Sequence, residues 1–377
     1  MPDLFFFGTL RHMPLLEVVL GRSADDLAPV AASLPGYSVH TVHDMPFATI
    51  HERPGERADG VLLQGLSASD VARLEFYAGG FADGLKPVTL DIAAGGQARA
   101  QVCFPERFHR TRGEPWDLGD WARDWGDLSV RTAREVMAGF GSATRQNIAE
   151  RLPAIRRRAA SWVALQQRAG SPDRNVHRDV EILRRDIPHD NFLAMEEMDL
   201  RFRRHDGTMS DVVNRSSMMT GRAAVVLPYD PVRDRVVLVE QFRAPVFMAG
   251  DPAPWVWEAV AGLVDPGETP EQTAIREAME EAHVELTRLE PAGEAFSSTG
   301  NSNEFCHLFV GLGDLDSTVS GAGVESEHED IRSEILDYDI FRERLDSMAY
   351  KSLHLNALGH WLARHRARLR AEVGIDD

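Results

Sequence analysis

The spacing of apolar residues along this chain changes twice, and the changes divide it. Residues 3–7 read Asp-Leu-Phe-Phe-Phe and end in Gly8, a β-like run. Alternating runs return at 60–65 (GVLLQG), 88–92 (VTLDI) and 101–104 (QVCF), with Gly and Pro between them. They predict a small sheet-rich domain that ends within 105–113. From residue 116 to 185 the pattern turns helical. Trp121, Trp125 and Leu128 stand at i, i+4 and i+7, the spacing of one apolar helix face, and are predicted to be core. After Val180 the period shortens again. VEILRRDI, MDLRFRRHDG, AAVVLPYD and RVVLVEQFRAP read as consecutive strands, with turns at Asp206-Gly207 and Tyr229-Asp230-Pro231. A helix is predicted over 270–283, strands near 305–310 and 335–338, and a closing helix over 353–369. The expected organisation is a domain over 1–112, a helical connector over 113–179, and a second domain over 180–377. Strands interrupted by a few helices predict an α+β or mixed sandwich for that last part.

Length agrees with two domains, since 377 residues exceed what one core usually serves. The chain is 43% hydrophobic and 27% charged, ordinary for a globular protein. No apolar run approaches the ~20 residues of a membrane helix, so no membrane partner is expected. The first residues lack a basic segment and a cleavage site, and therefore read as a buried strand instead of a signal peptide. Cys103 and Cys306 match no metal-ligand spacing and give no disulfide framework, which makes the cytoplasm the expected compartment.

The formal net charge of −18 argues against nucleic acid as the main partner. It also implies that an enzyme of anionic substrates would need a divalent cation held by clustered carboxylates. Residues 131–188 run the other way, with 12 Arg against 6 acidic residues. The densest run, Arg156-Arg157-Arg158, reads as a solvated helix face or a domain contact.

The most informative segment runs Gly262-Leu-Val-Asp-Pro-Gly-Glu268, then seven residues, then Arg276-Glu277-Ala-Met-Glu280-Glu281-Ala-His283-Val284. Thr269 or Glu268 can start a helix there, with Pro270 in its first turn. Glu277, Glu280 and Glu281 then stand at i, i+3 and i+4 on one face. Like charges at that spacing destabilise an isolated helix by a few tenths of a kcal/mol per pair. A cation on that face reverses the sign, since Mg²⁺ takes hard oxygen ligands together with substrate phosphates. Arg276 and Glu268 can pair and fix the loop against the helix.

This segment resembles the Nudix box, in which a Gly, five residues, a Glu, seven residues and Arg-Glu lead to a Glu-Glu pair and a Gly. The box Gly is His283 here, at the helix end where a left-handed cap belongs, and Ala278 replaces a larger aliphatic. The flanks, Glu240-Gln-Phe-Arg243 and Trp257-Glu258-Ala-Val-Ala-Gly262, resemble the ADP-ribose pyrophosphatase branch. The resemblance implies an α/β/α Nudix sandwich and a Mg²⁺ site (Mn²⁺ as the alternative) made by the Ala261 carbonyl, Glu277 and Glu281. It places Arg243, Glu258 and Gly262 against a nucleoside diphosphate sugar. The acidic stretch 325–332 resembles a loop that supplies a catalytic Glu and a further ligand, assigned here to Glu327 and Glu329, with Glu280 grouped beside Glu327 as catalytic. The branch's Ser-Pro-Gly turn reads Ser298-Thr299-Gly300 here. ADP-ribose is therefore the expected substrate, with GDP-mannose hydrolysis or nucleotide-sugar sensing as alternatives. Strands ahead of Ala223 resemble that branch's dimerisation sheet, so a homodimer through this domain is expected.

Phe5-Phe6-Phe7-Gly8-Thr9-Leu10-Arg11 resembles the opening strand and loop of γ-glutamylcyclotransferase-like proteins. This implies a β-barrel domain whose turn at Gly8, Thr9 and Leu10 would receive a substrate carboxylate. That family's general-acid/base Glu falls at Ala78, whose methyl cannot carry a proton, so the domain is expected to be inactive, a structural or ligand-binding module. The order of the two domains is similar to that of bacterial proteins labelled tellurite-resistance determinants.

Overall fold

The computed structural model describes residues 1–42, 45–81, 84–104, 113–315 and 330–375. They form two compact units, Met1–Gly170 and Ser171–Asp377.

In the first unit, strands β1 (Leu4–Phe6), β2 (Val30–Val42), β3 (Met45–Leu63), β4 (Leu85–Ile92) and β5 (Gln97–Cys103) close into a barrel in the order β1-β3-β2-β4-β5. Alternation explains the apolar run at the start. Phe5 and Phe7 join Leu34, Ile50, Leu62 and Val102 in one core, while Leu4 and Phe6 join a second core built with helices. Both faces of β1 are covered, so every position is apolar. Gly60 makes the close approach possible, because a Cβ there would lie 2.3 Å from the Phe5 ring and 2.4 Å from the Phe6 carbonyl oxygen.

The second core packs helices α1 (Met13–Leu20), α2 (Ala24–Leu27), α3 (Ala68–Ala78), α4 (Leu118–Trp121) and α5 (Asp127–Ala138) against the barrel. The stretch expected as a connector is therefore divided. Through α6 (Arg145–Gln166) it belongs to the first unit, and α7 (Val176–Asp179) belongs to the second. Trp121 is buried, but a π-helical turn, Ala122–Gly126, lies between it and α5. The extra residue in that turn breaks the i, i+4, i+7 register, so Trp125 is only partly buried in the same core and Leu128 lies outside it. Of the two readings of the Arg run, a solvated helix face or a domain contact, the solvated face does not hold at Arg158. Arg158 is buried beside Ile155 and Ala159, and its Nε donates to Glu135 Oε1 of α5 at 2.7 Å. Arg156 and Arg157 are half-buried.

The second unit contains an antiparallel meander, β6 (Val180–Asp190), β7 (Ala194–Phe202) and β8 (Val213–Met219). Beyond it lies a seven-stranded sheet of β9 (Arg222–Asp230), β10 (Arg235–Phe242), β11 (Trp255–Glu258), β12 (Val260–Leu263), β13 (Leu286–Phe296), β14 (Phe305–Gly313) and β15 (Arg332–Asp337). Short α8 (Ala244–Met248) follows β10. The order is β11-β10-β9-β14-β13, with β12 on β9 and β15 on β10, and β14 runs parallel to β9. β9 and β10 are buried on both faces, which is why each reads as a continuous apolar run. On one side, Ala224, Val226, Val237 and Val239 receive Ala274, Ala278 and Ala282 of α9 (Pro270–Ala282). Ala278 has no exposed surface, so a larger side chain would push the helix off the sheet. On the other side, Ala223, Val225, Val236 and Leu238 receive α10 (Tyr338–Asp346) and α11 (Leu353–Ala371) through Phe341, Leu355, Leu358 and Leu362. The result is the expected helix-sheet-helix sandwich. No helix among the described residues is long and apolar enough to cross a membrane.

Candidate active site

The site is built where α9 lies against β12. Thr269 caps the helix, its hydroxyl accepting from the Gln272 amide while the Gln272 side chain accepts from the Thr269 amide, and Pro270 occupies the first turn. At the other end His283 takes the left-handed conformation, φ 51° and ψ 34°. The residue in the box Gly position therefore keeps the Gly backbone geometry, at the strain that a Cβ brings there.

Arg276 ties three of the carboxylates, Glu268, Glu277 and Glu280. Arg276 Nε and Nη2 each reach Glu268 at 3.1 Å, a two-pronged pair that ties the preceding loop to the helix. Its Nη1 donates to Glu277 Oε1 at 2.7 Å and to Glu280 Oε2 at 2.9 Å. The Thr273 hydroxyl donates to Glu268 Oε2 at 2.8 Å. Hydrogen bonds from Arg276 hold the Glu268 carboxyl below its usual range. Burial works against the Arg276 charge, but Glu268, Glu277 and Glu280 outweigh it and raise its pKa.

Glu281 is 2% exposed, and its Oε2 accepts from the Ala261 amide at 3.1 Å. Ala261 stands opposite Val225 in the sheet, and Gly262 stands opposite Ala224, on the α9 side. Gly262 leaves room for Glu277. Three expected ligand positions, Ala261, Glu277 and Glu281, thus share one neighbourhood with Gly262. An oxygen-rich set of this kind fits a hard divalent cation. The expected base Glu327 and ligand Glu329 lie outside the described residues.

Arg243 and Glu258 meet each other, with Arg243 Nε donating to Glu258 Oε2 at 2.5 Å. Both remain partly exposed. Three features here were missed from sequence. Phe242 and Trp255, paired across β10 and β11, are exposed and set edge to face with centroids 5.3 Å apart. The Phe247 ring centroid lies 6.2 Å from that of Phe242. Arg332 stacks 4.8 Å over the Trp257 ring and reaches Glu240 at 3.4 Å. Two aromatics in alternation around Val256 were the available signal, but strand alternation alone does not say which face is open.

In the first unit, Thr9–Arg11 form a 3₁₀ turn directly after β1 and Gly8. The Arg11 amide donates to the Gly8 carbonyl at 2.9 Å and the His12 amide to the Thr9 carbonyl at 3.0 Å. Ala78 ends α3, and the nearby Glu75 accepts from the Gly80 amide at 2.7 Å.

A capped acidic helix, tied to its preceding loop by one Arg and packed on a Gly-bearing strand in an α/β/α sandwich, is the class of site that binds a divalent cation for phosphate chemistry. The NUDIX domain family matches residues 219–354. An ADP-ribose pyrophosphatase of Escherichia coli (strain K12) is 34% identical over 194 residues, which are 52% of this chain and 92% of that protein. An ADP-ribose pyrophosphatase of Haemophilus influenzae is 34% identical over 42% of this chain and 74% of its own length. A GDP-mannose pyrophosphatase of Cronobacter sakazakii is 32% identical over 41% of this chain and 80% of its own length. The chain belongs to the NUDIX family of hydrolases. Members of this family generally need a divalent metal.

Proposed function

We propose that this protein hydrolyses the diphosphate of ADP-ribose to AMP and ribose 5-phosphate, with Mg²⁺ as its metal and Mn²⁺ as a substitute. The observation that carries the reading is the convergence of Glu277, Glu281 and Ala261 beside Gly262, within a chain whose relatives include ADP-ribose pyrophosphatases.

A divalent cation bound there would neutralise charge on the diphosphate and acidify a coordinated water. The chain's own residues do the rest. Arg276 orients Glu277 and Glu280. The Ala261 amide orients the Glu281 carboxylate. Arg243, released from Glu258 or shared with it, offers a planar fork to phosphate oxygens. Phe242 and Trp255 offer exposed rings on which a nucleobase can stack. Resemblance to the family assigns Glu327 to take the proton of the attacking water and Glu329 as a further ligand.

GDP-mannose is the second reading, favoured by the Cronobacter relative and by Thr299 in the turn that follows Ser298. Comparing kcat/KM for ADP-ribose and GDP-mannose under Mg²⁺ separates the two. A higher value for GDP-mannose would replace ADP-ribose in the proposal.

The exposed Ile182, Leu183, Phe202 and Met218 of the β6–β8 meander support a homodimer through the second unit. Light scattering that gives a monomer at micromolar concentration refutes it. The barrel is read as a γ-glutamylcyclotransferase-like module without its acid, because the Glu position is Ala78 and Glu75 is engaged by Gly80. Turnover of γ-glutamyl dipeptides by the full chain contradicts that reading. The cytoplasmic expectation rests on the cysteine pattern, and a link to tellurite resistance rests on the order of the two domains.

A further inference from the structure

We propose that Glu304, Cys306 and His354 form a second cation site, apart from the carboxylate helix, suited to a borderline-soft divalent ion of the Zn²⁺ class. One ligand atom from each of the three lies within 4.8 Å of the others. Residues 304 and 306 are two apart where the chain enters β14, so their side chains leave on the same side. That side faces α11, since Cys306 is 1% exposed in the core with Ala223, Val225, Leu355 and Leu358. His354 lies in the first turn of α11, whose start is fixed by the Ser352 cap. Its Nε2 atom is buried and has no hydrogen-bond partner among the described residues. A buried imidazole nitrogen in that state costs free energy that a ligand would recover.

Donor chemistry selects the ion. A thiolate, an imidazole and one carboxylate are the ligands of Zn²⁺ and related transition ions, whereas Mg²⁺ takes oxygen. Tetrahedral coordination at Zn²⁺ bond lengths sets ligand atoms about 3.3–3.8 Å apart, within reach by small side-chain rotations from the observed spread. Binding passes the Cys306 thiol proton to solvent as the metal–sulfur bond forms. Thiolate and carboxylate together cancel the charge of a divalent ion, so the buried complex is neutral. The positive end of α11 opposes a cation, which is why two anionic donors are needed. Glu277, Glu280 and Glu281 belong to α9 on the opposite face of the sheet, apart from this group.

The test uses the full chain, stripped with a chelator, given one equivalent of Zn²⁺, desalted and assayed by elemental analysis. Co²⁺ is loaded in parallel and its absorption recorded. The expected result is one retained ion per chain and a thiolate-to-Co²⁺ charge-transfer band. Glu281→Gln should retain the ion. His354→Gln should weaken it by at least about tenfold, the loss that even outer-shell partners cause. Cys306→Ser should abolish the band. If that core variant fails to fold by circular dichroism, His354→Gln at its partly buried position decides. Retention unchanged in His354→Gln, retention lost in Glu281→Gln, or a Co²⁺ spectrum without the thiolate band overturns the proposal.

Discussion

Gly262 lies directly beneath Glu277, so close that a Cβ built on it would fall 1.8 Å from Glu277 Oε1. The strand thus has a Gly because a carboxylate occupies the space of a side chain. Gly262→Ala should displace Glu277 and lower kcat by at least about tenfold, as disturbed metal ligation does. Circular dichroism and melting should show that the fold persists. An unchanged kcat in the Gly262→Ala enzyme would show that Glu277 does not need this position.

Glu268 and Arg276 predict a pH dependence. The Glu268 carboxyl is held below its ordinary value of 4.5 by Arg276. Its stabilising contribution is therefore complete above that ordinary value and is lost as pH falls through the lower folded value. Arg276→Gln should return Glu268 toward the ordinary range and flatten this part of the acid limb. Urea denaturation from neutral pH to about pH 3 reads the slope. An unchanged slope would mean that the pair does not survive in solution.

Much of this helix was legible in the sequence, and the reason is local. Thr269, Pro270 and Gln272 are a cap whose signals lie within four residues, and the Glu spacing follows from the helical period. Even the backbone at His283 could be expected, because a helix end needs a left-handed residue there. Two of the strands that escaped, β2 and β13, are broken by Pro and Gly. β2 and β13 carry irregularities at Pro35/Tyr37 and at Pro291/Gly293, where a bulge admits residues that ordinarily signal a turn. The Glu135–Arg158 pair and the Glu304–Cys306–His354 group escaped for another reason. Each joins distant elements, and nothing in spacing reports such contacts.

His283 offers a direct stability test. His283→Gly keeps the left-handed backbone and removes the strained Cβ, so it should stabilise the second unit by about 0.5–1 kcal/mol, less the entropy that Gly adds to the unfolded chain. A higher melting temperature with unchanged activity is expected. A lower one would mean that the exposed imidazole makes contacts worth more than the strain.

Trp255 should act on binding more than on chemistry. Stacking one base on an aromatic ring is worth about 1–3 kcal/mol. Trp255→Ala should therefore raise KM by about tenfold or more with kcat nearly kept. A fall in kcat at constant KM would place the base elsewhere.

Glu281 is a carboxylate 2% exposed and aligned by the Ala261 amide. The most direct measurement is release of AMP from ADP-ribose under Mg²⁺ by the full chain beside Glu281→Gln. Mg²⁺-dependent release is expected from the native protein, with a loss of at least about 100-fold in the variant. Equal release by both proteins, or none by the native one, would contradict it.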